Sequence, residues 1–119
     1  MVDSGAQQEA QPDIRADPFQ KRLVTYCFNN LKHFLKTREI LEHPSDFDTI
    51  LSPLFVTWNK EGDLRGCIGT FAEDGKLGET LSQYSLIAAV KDTRFKPISE
   101  SELPLLSCEI SLLSNFEEI

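Results

Sequence analysis

The sequence predicts a single α/β domain of the α+β kind, and three observations carry that reading. An apolar repeat of helical period runs through residues 18–37, two β-rich runs flank a glycine turn within residues 54–71, and residues 106–112 alternate apolar with polar. The 119 residues suffice for one domain with a modest core.

Residues 1–17 are polar, with few large apolar side chains, and read as a disordered lead-in. The domain is expected over 18–119. Its first element starts at "DPFQ", where Asp17 fits a helix N-cap, Pro18 the first helical position and Gln20 the third. Phe19, Leu23, Tyr26, Cys27, Leu31, Phe34 and Leu35 then share one face, and Lys32, Lys36 and Arg38 suit the dipole at the far end. The spacing predicts a helix over 18–37, with Cys27 in its buried face and His33 at the boundary. Residues 39–53 form a connector in which His43, preceding Pro44, is expected to be extended or in a turn.

"LFVTWNKEGDLRGCIGTF" reads as a β-hairpin turning at Gly62, its first strand apolar on both faces and therefore expected to be covered on both. After a turn at Gly75, Leu77 to Val90 carry a broad apolar face, giving a second helix that ends near Asp92, with Ala88 and Ala89 allowing close packing on a sheet. "KPISESELP" is a loop with at most one helical turn. In "LLSCEISLLS", Leu106, Cys108, Ile110 and Leu112 point one way while Ser107, Glu109 and Ser111 point the other, the pattern of a half-buried strand with Cys108 toward the core.

Composition excludes several function classes. The net charge is −7, with 19 acidic against 12 basic residues and no basic stripe, which argues against nucleic acid and anionic membrane surfaces as partners. No apolar run reaches the ~18 residues that span a bilayer. The three cysteines, Cys27, Cys67 and Cys108, stand about forty residues apart. They form no C-x-x-C pair, and neither His33 nor His43 sits at zinc-finger spacing from them. No metal site and no cofactor is expected. An odd thiol count without a framework suits a reducing compartment, so the protein is expected to be cytoplasmic, with the nucleus also open.

The chemistry concentrates in "LRGCIGTF". Strict alternation places Arg65, Cys67, Gly69 and Phe71 on one strand face, with Arg65 and Cys67 about 6–7 Å apart. Gly66 and Gly69 weaken a strand interior, so they mark a bulge, a bend or a close backbone approach. Three uses follow. Cys67 is a candidate nucleophile whose thiolate Arg65 favours. Arg65, with Arg94 from "DTRF", is a candidate clamp for a carboxylate or phosphate. Gly66 and Gly69 are candidate seats for a bound backbone or anion. The structural alternative makes Cys67 a small core residue, the arginines partners of nearby acids, and the glycines a tight bend. A cysteine nucleophile ordinarily needs a histidine base, and nothing in the sequence brings His33 or His43 to it.

Together and in order, "LFVTW", "LRGCIGTF", "AAVKDTRFKPISESELP" and "CEISLLSNFE" resemble the AMMECR domain family from about Leu23 onward. The resemblance implies an α/β fold of two unequal subdomains around a mixed sheet with flanking helices. It implies an intracellular protein of unestablished activity, with "LRGCIG" as the suspected functional site. The family domain continues past "LLSNFEEI", so the chain is expected to be its N-terminal part, incomplete at the C-terminus. The expected function is a regulatory or binding module with a small-ligand or anion seat at the motif, its partner an unidentified protein or a small anion. The alternative is an enzyme, or the remnant of one, with Cys67 as nucleophile.

Overall fold

A computed structural model describes residues 17–113. The lead-in expected over residues 1–17 lies outside the described residues, Asp17 excepted. Among the described residues two α-helices pack on one face of a three-stranded antiparallel sheet, an α+β arrangement. The elements are α1 (Asp17–Thr37), β1 (Leu54–Lys60), β2 (Asp63–Thr70), α2 (Leu77–Val90) and β3 (Leu106–Leu112). Short 3₁₀ turns, Ser45–Thr49 and Glu100–Leu105, precede β1 and β3. No helix among the described residues is long and apolar enough to cross a membrane.

The sheet order is β2-β1-β3. Every pairing among the described residues is antiparallel, where the family resemblance implied a mixed sheet. The hairpin turns through two residues, Glu61 (φ 51°) and Gly62 (φ 91°), both left-handed. That is the two-residue turn whose twist matches the flanking strands. Among the described residues β1 is covered on one face: Leu54, Val56 and Trp58 are fully buried, while Phe55 and Thr57 are half-buried on the other. Two-sided covering was expected from its apolar sequence, but both helices lie on the same side.

Helix α1 buries Phe19, Leu23, Tyr26, Cys27 and Leu31 along the stripe read from sequence. It ends where Arg38 adopts φ 66° and donates its N–H to the Phe34 carbonyl. One polar residue interrupts the buried face. Asn30 donates Nδ2–H to the Ser82 carbonyl and to Ser85 Oγ, both at 3.0 Å, and its Oδ1 accepts the Leu41 N–H at 2.8 Å. Trp58 donates its indole N–H to the Ser85 carbonyl at 3.0 Å. These bonds orient α1, α2 and β1 where apolar contact alone is non-directional. The connector also holds an element the sequence reading passed over, the Ser45–Thr49 turn, which buries Phe47 edge-on to Phe19 at 5.7 Å.

The contact that positions residues 64–69 lies between α2 and β2. Gly66 faces α2, and a Cβ there would strike the Ala88 carbonyl oxygen. Ala88 and Ala89 are themselves buried. A glycine meeting two alanines lets the C-terminal half of α2 rest on the strand backbone. Gly66→Ala forces that helix outward, so we expect a loss of about 1–3 kcal/mol in urea unfolding, the usual cost of overpacking. An unchanged midpoint would show that α2 shifts freely.

Candidate functional site

Strand β2 is an edge strand, and the site grows from how that edge is finished. Trp58 pairs with Gly66 and Asn59 with Leu64, so Arg65 is an extra residue with no partner on β1. This β-bulge breaks the alternation assumed from sequence. Arg65 turns to the loop after α2. Its Nε and Nη2 donate to the two Glu102 carboxylate oxygens at 2.8 and 3.1 Å, and Nη1 donates to the Lys96 carbonyl at 2.6 Å. Its side chain is only 14% exposed. The space expected to be shared by Arg65 and Cys67 is therefore not formed. Cys67 lies instead beside Thr57, its Sγ 3.1 Å from the hydroxyl, on the face away from the helices.

The backbone of Cys67 is closed by two side chains that act like a neighbouring strand. Its N–H donates to Asp92 Oδ2 at 3.0 Å, and its carbonyl accepts from Arg94 Nη2 at 3.1 Å. Asp92 and Arg94 are in turn joined by a fork: Nε to Oδ1 at 3.0 Å and Nη2 to Oδ2 at 2.7 Å. Parallel charge-assisted bonds of this kind are strong and directional. They satisfy two groups that an edge strand otherwise leaves to solvent or to another chain. Asp92 is buried, while the Arg94 side chain is 57% exposed.

The electrostatics follow from these contacts. The Arg94 guanidinium, helped by the Cys67 and Arg94 amides, holds the Asp92 carboxyl far below the usual carboxylate range. Arg65 does the same to Glu102, assisted by the Ser99 N–H and Lys60, lowering it to about 2. Burial pushes the Cys27 thiol well up; Cys27 lies in the core and the half-buried Cys108 on β3 packs beside it.

Of the residues singled out from sequence, Cys67 and Arg94 come together at the edge of β2. Arg65 is drawn away to Glu102. Gly66 is occupied by α2. At Gly69 the Phe55 ring and the Leu54 carbonyl fill the place of a side chain. Asp92, Glu102 and Thr57 complete the arrangement. Only Asp92, two residues before Arg94, carried a sequence signal, that of a residue near the end of α2. His43 lies elsewhere: its Nε2 sits 3.0 and 3.1 Å from the Asp48 carboxylate oxygens, over Gly78 in the first turn of α2. Cys67 is anchored beyond the last turn of that helix, about 20 Å away along the axis. Among the described residues no cluster of histidine, cysteine and acid side chains suits a metal ion.

Comparison with known proteins shows what the chain is similar to. A family model described as AMMECR1 matches residues 24–119. An uncharacterized protein of Kluyveromyces lactis is 56% identical over 72 residues, covering 57% of this chain and 31% of the relative. An uncharacterized protein of Arabidopsis thaliana is 39% identical over 103 residues, covering 82% of this chain and 47% of the relative. The crystal structure of an uncharacterized protein from Pyrococcus horikoshii superposes with a TM-score of 0.75 at 30% identity, over 82% of this chain and 52% of that one. The chain thus spans between about a third and a half of the length of these relatives.

Two outcomes are expected. Asp92→Ala removes a charged acceptor from the Cys67 amide and should cost about 1.5–3 kcal/mol in urea unfolding while speeding hydrogen exchange at that amide. Both carboxyls have depressed folded-state pKa values, so their stabilisation is complete above the ordinary carboxylate range and is lost on acidification. For Glu102 the window runs from 4.5 down to about 2. Glu102→Gln should flatten stability against pH in that window, and an identical acid limb would show the Arg65 pair to be inert.

Proposed function

The chain belongs to the AMMECR1 family, and on that premise we propose that it is a regulatory binding module that seats a small anion, or an acidic group of a protein partner, at the outer side of residues 64–71. One observation supports this above the others. Arg94 is held rigidly by Asp92 and the Cys67 carbonyl, yet its side chain stays more than half exposed, and its Nη1 makes no hydrogen bond among the described residues. A pre-oriented guanidinium loses little freedom on meeting a carboxylate or phosphate. In this reading Arg65, Gly66 and Gly69 shape the backbone, and Arg94 and Cys67 are the contact groups. Three free thiols fit a reducing compartment, cytoplasmic or nuclear.

The alternative, Cys67 as a nucleophile, draws on the Thr57 hydroxyl at 3.1 Å and the neighbouring Arg94 charge. Among the described residues no histidine hydrogen-bonds the thiol, so a binding role accounts for the site with fewer parts.

Titration of inorganic phosphate and of citrate into isotopically labelled protein tests the seat. We expect NMR shift changes centred on the Cys67 amide and the Arg94 side chain, retained in part by Arg94→Lys and abolished in Arg94→Gln. Absence of any change with both anions would remove the anion reading. The rate of Cys67 alkylation against pH separates the alternative. A thiol pKa at or above the ~8.5 of free cysteine leaves no activated thiolate, whereas a value well below it favours the nucleophile.

A further inference from the structure

We draw no further inference here: the strongest candidate, the apolar trough between the C-terminal ends of α1 and α2 lined by Phe34, Ile40, Leu86 and Val90, is unpartnered among the described residues, and nothing in the structure shows what covers it.

Discussion

The contact between Gly66 and the Ala88 carbonyl is the constraint on which the rest of the site depends. It brings the last turns of α2 onto the backbone of β2, and the chain leaving that helix then runs along the strand edge. Asp92 and Arg94 follow within six residues of Ala88 and reach the Cys67 peptide from the side. A larger residue at position 66 lifts the helix and separates the fork from the groups it closes. One missing Cβ therefore controls helix packing, edge protection and the presentation of Arg94.

A second consequence concerns how charge is distributed. Two arginines lie near the motif, and each is committed to an acid. Arg65 is almost enclosed by Glu102 and a backbone carbonyl, while Arg94 is held by Asp92 and remains open on one side. The enclosed pair fastens the Glu100–Leu105 turn to β2. The open pair leaves more than half of the Arg94 side chain exposed. Exposed ion pairs add little to stability, but a buried carboxylate that also accepts a strand amide has a large effect when removed, because the amide is left unsatisfied. Asp92 is in that position, and it had the weakest sequence signal relative to its importance.

Among the described residues the two edges of the sheet are finished differently. The bulge and the Asp92–Arg94 fork end hydrogen bonding at β2, whereas the register of β3 with β1 runs unbroken. The family relatives are two to three times the length of the stretch they share with this chain.

Much of the fold was legible from period and composition. The α1 stripe from Phe19 to Leu31, the turn at Gly62 and the alternation of β3 each depend on neighbours within a few residues, and local preference sets them. Family membership was legible too, because it rests on the order of short motifs. The site was legible only in its members. Alternation placed Arg65 beside Cys67, but a bulge is a matter of pairing between strands, and nothing in β2 alone reports which of its residues will lack a partner on β1. Glu102, thirty-seven residues from Arg65, and Asp92, twenty-five from Cys67, join the site through the packing of α2. The sequence by itself determined which segments form the two helices and three strands and which polar residues fall within the motif. Tertiary structure alone decided which of those residues meet, because edge hydrogen bonds and close backbone approach depend on distances the chain sets only after it folds back on itself.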